Sequence, residues 1–100
     1  MRIEHIKQPE LKGEISIDER LLFRITTIIG EHIDNSDLSV EMLSRLMGIS
    51  QKQLYRKLKS LTGMSTVEYI RSIRLKKAAL LFQNGNFSVA EVMYMVGFSN

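Results

Sequence analysis

The sequence contains no cysteine and no tryptophan, one proline, six glycines and only 7% aromatic residues. Without cysteine there is neither a disulfide framework nor a cysteine-ligated zinc site, which fits a reducing, cytoplasmic setting. With so few breakers the chain can hold long helices. Its abundant Leu, Ile, Met, Lys, Arg and Glu favour helix over strand. No apolar run approaches the roughly 18 residues needed to span a bilayer, and no signal-peptide pattern opens the chain. His5 and His32 stand alone, and there is no Ser/His/Asp set, metal-ligand spacing or glycine-rich phosphate loop. These absences argue against an enzyme and imply neither metal nor cofactor.

What remains is 100 residues, 44% of them hydrophobic, enough for one domain with a real core. The net charge is only +3, but it is unevenly placed. Residues 1–50 carry six Lys/Arg against nine Asp/Glu; residues 51–77 carry eight Lys/Arg and a single acid, Glu68; residues 78–100 carry only Glu91. A basic block of this kind attracts polyanions by counterion release. The plainer reading is a solvated helical surface.

Capping signals divide the chain. Residues 1–15, interrupted by Pro9 and Gly13, read as a linker. Ser16 and Glu19 have capping-box spacing, and Leu21, Leu22, Ile25, Ile28, Ile29 and Ile33 recur at helical spacing. Asp34-Asn35-Ser36-Asp37 breaks that helix. Ser39 caps a second helix to about Met47, and Ser50, with Gln53, caps a third that ends at Gly63. Ser65 and Glu68 open a long fourth helix to about Gln83. Ser88 and Glu91 open a fifth that ends at Gly97. The fold class is therefore all-α, with short connections.

A shift of 49 residues aligns Leu38-Ser39-Val40 with Phe87-Ser88-Val89 and Gly48-Ile49-Ser50 with Gly97-Phe98-Ser99, with four identities in 13 positions. Leu43/Val92, Leu46/Met95, Met47/Val96 and Ile49/Phe98 keep apolar character. A capped helix, a glycine turn, an apolar residue and a second serine cap form the sequence pattern of a helix-turn-helix. One copy could be an ordinary helical hairpin; two in register around a basic segment are stronger evidence. The first unit covers about 38–63, a linker helix about 65–83, and a partial second unit 87–100. Ser44 and Gly48 share a face and leave room for close helix approach, whereas the repeat has Met93 at the first of these places. After the first copy comes a full helix, and after the second only Asn100. The expectation is that the chain stops where a second recognition helix begins. Val92, Val96 and Phe98 would then be uncovered, and the fragment would self-associate through residues 87–100 or leave that end poorly ordered.

On the helix 51–62, Leu54, Leu58 and Leu61 fall within about 60° of each other and face inward. Lys52, Arg56 and Lys59 lie opposite, with Tyr55 beside them and Gln51 at the helix start. These types suit base reading: Arg56 can donate two parallel bonds to guanine, and Gln51 can pair with adenine. Tyr55 can pack on a sugar or a thymine methyl. Lys52 and Lys59 can reach a base or a phosphate, with Lys59 placed as a backbone contact. The same residues could simply be the wet side of an amphipathic helix. Residues 65–83 would span roughly 28 Å at 1.5 Å per residue, close to the roughly 34 Å of one duplex turn. Val67, Ile70, Ile73, Leu80 and Leu81 supply its apolar surface. Its Arg71, Arg74 and Lys77 form a stripe that could meet the phosphate backbone, or one of them serves as a structural ion-pair partner.

The stretches LSVEMLSRLMGISQKQLYRKLKSLTGMSTVEYIRSIRLKKAALLF and FSVAEVMYMVGFSN resemble the DNA-binding domain of AraC-type transcriptional regulators, over about residues 20–100. GMSTVEYIRSIRLKKAALL and the closing VGFS carry the likeness most specifically. The resemblance implies a homeodomain-like double helix-turn-helix that binds asymmetric sites on double-stranded DNA. It places base-reading positions at Gln51, Lys52, Tyr55 and Arg56, and a second recognition helix after GFS. LYRKLKSLTG and the acidic helix before it are similar to output domains of Bacteroidetes hybrid two-component regulators, which join a sensor, a histidine kinase, a receiver and this domain. That likeness implies that residues 1–15 link to an upstream receiver domain and that phosphorylation there controls DNA binding. The rival reading is a helical protein-interaction or dimerisation module, favoured by the apolar first helix and six methionines.

Overall fold

Among the described residues, every helix starts at a serine. The computed structural model describes residues 16–98, so the expected linker at 1–15 and the cap at Ser99 lie outside the described residues. Within them the chain forms α1 (Ile17–Glu31), α2 (Val40–Met47), α3 (Gln51–Thr62), α4 (Thr66–Asn84) and α5 (Val89–Met95), with no strand. The N-caps are Ser16, Ser39, Ser50, Ser65 and Ser88, and each hydroxyl accepts from the backbone N–H three residues on, at 3.0–3.2 Å. Such a bond satisfies one of the orphan donors of a helix start and contributes about 1 kcal/mol. At four of the five caps, Glu19, Gln53, Glu68 and Glu91 return the bond to the serine N–H. The all-α expectation is met, with helix limits within a residue or two of those read from the sequence.

The first core lies among α1, α2, α3 and the start of α4. Ile25, Ile29, Leu43, Leu54 and Leu58 are fully enclosed, joined by Leu38, Met47 and Ile70. Burying each such side chain contributes about 1.5–3 kcal/mol. Two polar ties cross between elements. The Thr26 hydroxyl meets the Tyr69 hydroxyl at 2.7 Å, and Lys57 Nζ donates to Asp18 at 2.9 Å. The Lys57–Asp18 pair is half-exposed, so it adds at most about 1 kcal/mol.

The turns after α2 and α5 share the same two closing bonds, and Gly48 N donates in addition to Ser44 O at 2.9 Å. Gly48 N donates to Arg45 O and Ile49 N to Ser44 O; Gly97 N donates to Tyr94 O and Phe98 N to Met93 O. This is a Schellman closure, which needs a left-handed residue, and Gly48 and Gly97 supply it at φ 75° and 86°. The burial pattern repeats with the turn, since Leu43 and Val92 are both enclosed, as are Met47 and Val96.

Two expectations are corrected. A Cβ on Gly48 would meet nothing within 4 Å, so this glycine serves backbone conformation and not close packing. Ser44 does sit at a tight place and is buried, its hydroxyl turned back onto Glu41 O. Second, Val92 and Val96 are not uncovered: both are at 0% exposure, packed with Ala78, Leu81, Ile33 and Phe98 in a second, smaller core. The linker helix and the connection between α1 and α2 already cover that face. The apolar side chains that residues 87–98 do expose are Phe87, Val89 and Tyr94.

Two outcomes follow from these contacts. Leu54→Ala should cost about 2–5 kcal/mol in urea unfolding, while Leu80→Ala, at an exposed position of α4, should stay within about 0.5 kcal/mol. Equal losses would contradict the packing described. The bonds from the Ser65 backbone and then from its hydroxyl hold the Glu68 carboxyl below its ordinary value of 4.5. A depressed carboxyl stabilises the fold fully above its ordinary pKa and loses that contribution as pH falls through the folded value. The Tm difference between wild type and Glu68→Gln should therefore be largest at neutral pH and shrink below about pH 4. A difference that persists unchanged into strong acid would contradict this.

Candidate nucleic-acid interface

The Schellman turn at Gly48 and the cap at Ser50 aim α3 across α2. Leu54 and Leu58 pin its inner face, and Leu61 lies half-buried beside them. The opposite face is thereby committed to solvent. Gln51, Lys52, Tyr55, Arg56 and Lys59 are all exposed, with Tyr55 at 46%. Together they make a convex ridge with no acidic residue along α3.

The five do not form one cluster. Gln51, Lys52 and Tyr55 line an open depression of about 310 Å³, walled by Val40 and by Ser65, Thr66 and Val67 at the start of α4. Arg56 stands on the other flank, where it lines a second depression of about 300 Å³ with Leu21, Ile49, Gln53 and Lys57. Arg56 and Lys52 are four apart, so both still point along the ridge. Lys57 is turned away from the ridge towards α1, to the Asp18 carboxylate.

The stripe on α4 separates into three fates. Arg71 is exposed and lines a third depression, of about 150 Å³, with Leu38, Ser39, Val40 and Val67. Val40 and Val67 also line the Gln51–Lys52–Tyr55 depression, so Arg71 adjoins the α3 ridge. Lys77 is exposed but lines none of these depressions. Arg74 is not a surface residue. It is 8% exposed and donates from Nε to Ile33 O at 3.4 Å and from Nη2 to Asn35 O at 2.7 Å. Burial pushes its pKa down from the ordinary arginine value, and an arginine still stays charged there. Its expected role as a phosphate contact is therefore corrected: these carbonyls already hold the side chain, and little of it reaches solvent.

Sequence reasoning missed the walls that join Arg71 to α3, namely the starts of α2 and α4. The signal was available, because the caps Ser39 and Ser65 flank α3 on both sides, and helix starts favour anions. Glu68, near that surface, also lies within the field of Lys59 and Arg71. Among the described residues no cluster of three His, Cys, Asp or Glu could hold a metal ion, and no helix is long and apolar enough to cross a membrane.

Known proteins are similar to this chain in sequence and fold. Residues 43–100 match the family model for a helix-turn-helix domain. Histidine kinase P4 of Formosa agariphila is 34% identical over 97 residues, which are 97% of this chain and 7% of that protein. The chain spans 7–33% of the length of the first curated relatives it matches. Among solved structures, the C-terminal domain of the two-component response regulator yesN from Fusobacterium nucleatum superposes with a TM-score of 0.73 at 26% identity, covering 81% of this chain and 84% of that one. The DNA-binding domain of the transcriptional factor AdpA, solved with a target DNA, gives 0.69 at 27% identity, covering 77% and 68%. The chain belongs to the helix-turn-helix domain family, in its AraC-type form, and is a DNA-binding transcription-regulator domain.

Proposed function

We propose that α3 is the recognition helix and enters the major groove with Gln51, Lys52, Tyr55 and Arg56 towards the base edges. The observation that carries this is the division of α3 itself: Leu54 and Leu58 are completely enclosed, and the four reading residues are all exposed on the faces left over. A helix held this way presents a fixed set of donors to a groove that admits a helix. Arg56, with five donors in a rigid fork, suits guanine O6 and N7. Gln51, at the helix start, suits adenine. Lys59 and Arg71 reach phosphates on either side, and Lys77 lies farther along α4 as an outlying backbone contact.

In the intact protein this domain is the output of a two-component relay in the cytoplasm, controlled by an upstream receiver. Support comes from the likeness to a histidine kinase over 97% of the chain and to a response-regulator C-terminal domain. The competing reading, a helical protein-interaction module, needs no basic ridge and gives no reason for α3 to lack acids.

Selectivity and salt dependence separate the two. Arg56→Ala should lose about 1–3 kcal/mol of DNA affinity, concentrated at one base pair of the preferred site. Arg71→Ala should weaken binding to all sequences alike and reduce the slope of log K against log salt by roughly 1. A uniform loss from Arg56→Ala would make it a phosphate contact. Absence of any DNA affinity in titrations at low salt would leave the interaction module as the better reading.

A further inference from the structure

Arg74 occupies the place where three segments of the chain meet. It projects from the middle of α4, and its two hydrogen bonds go to carbonyls 41 and 39 residues earlier, in the connection that leaves α1. Against its other side lies the turn after α5. The Phe98 ring centroid is 5.7 Å from the guanidinium carbon, within the range of a cation–π contact. A Cβ on Gly97 would sit 2.8 and 2.9 Å from the Arg74 nitrogens and would collide with the Ile33 carbonyl. The Ile33 side chain belongs to the packing of both cores. One guanidinium and one isoleucine thus join the α1–α2–α3 unit to the α5 unit across the linker helix.

The chemistry suits an angular constraint. A buried cation must have its donors satisfied, and the backbone carbonyls of Ile33 and Asn35, in the connection after α1, accept from it. Guanidinium is planar with donors in fixed directions, so it sets the orientation of the carbonyls relative to the ring that faces it. A lysine offers a point charge on a flexible stem and imposes no such plane. The repeat underlines the difference: Gly48 has open space where a Cβ would go, and Gly97, at the same place in the second turn, is pressed against Arg74.

We propose that Arg74 is a positioning residue that fixes the angle between the two helix-turn-helix units, and thereby the separation and rotation at which they meet a duplex. Its consequence for DNA rests on the reading of α3 given above, while the angle itself does not. The absence of native cysteine allows clean labelling. Ser60→Cys on α3 and Ala90→Cys on α5, both exposed, would carry nitroxides in the 100-residue chain. Pulsed electron resonance should give one narrow distance for the otherwise wild-type protein. Arg74→Lys and Arg74→Met should lose that single distance to a broad distribution, with Lys failing to rescue it although it keeps the charge. Gly97→Ala, strained by its left-handed backbone and driven against the Ile33 carbonyl as well as the guanidinium, should shift or broaden the distance whatever Arg74 contributes. If Arg74→Met does not fold, Arg74→Lys decides the matter. Unchanged distances in folded variants would overturn the proposal and leave Arg74 a mere filler of the junction. Titration of a short duplex in parallel keeps the two readings apart: broadened distances with no DNA affinity would sink the α3 reading alone, and unchanged distances with intact affinity would sink the positioning role alone.

Discussion

The left-handed turn at Gly48 is the constraint from which the rest of the first unit follows. It lets the chain reverse within three residues while Gly48 N and Ile49 N still reach the last carbonyls of α2. Only because the reversal is that tight do Leu54 and Leu58 of α3 land on Leu43 and Met47 of α2. Once those four are enclosed, the polar side of α3 has nowhere to go but outward. The face proposed to read bases is therefore a by-product of packing. Its donors are aimed by the burial of their neighbours, which is what a binding surface needs if it is not to lose affinity in ordering itself.

The second unit reuses the turn but not its surroundings. At Gly97 the same backbone closure is crowded by Ile33 and Arg74, and the valines that replace Leu43 and Met47 pack against α4 and the α1–α2 connection. The two units thus share a geometry and differ in what it is for. In the first, the turn exposes a helix; in the second, it closes the junction between the units. The linker helix is polar on no single side, because it must meet one core near Ile70 and the other near Ala78.

Much of this was legible in the sequence because it is local. Each cap needs one serine, and four also need an acid or amide three residues on; both are visible without knowing what packs where. The repeat was legible for the same reason, since its glycines and apolar positions sit at fixed offsets. Arg74 was not. Its place in an i, i+3, i+6 stripe with Arg71 and Lys77 suggested one surface, but its burial is decided by carbonyls about forty residues away. The burial of Val92 and Val96 was not legible either, because the partners that cover them come from α4 and the α1–α2 connection. The link between Arg71 and α3 through Val40 and Val67 is equally a property of tertiary packing. The residues of α3 proposed to read bases are, by contrast, all exposed, with Lys52 and Arg56 opposite the leucines where helical periodicity puts them and Gln51 and Tyr55 at the helix start and on its flank.

The central claim is that α3 reads bases and does not merely adhere to a polyanion. Selection of bound duplexes from a random library by the 100-residue chain tests it most directly. The account predicts enrichment of one short contiguous motif, of a length that a single helix can read in one major groove. Binding that retains duplexes without enriching any motif over the input library would contradict it.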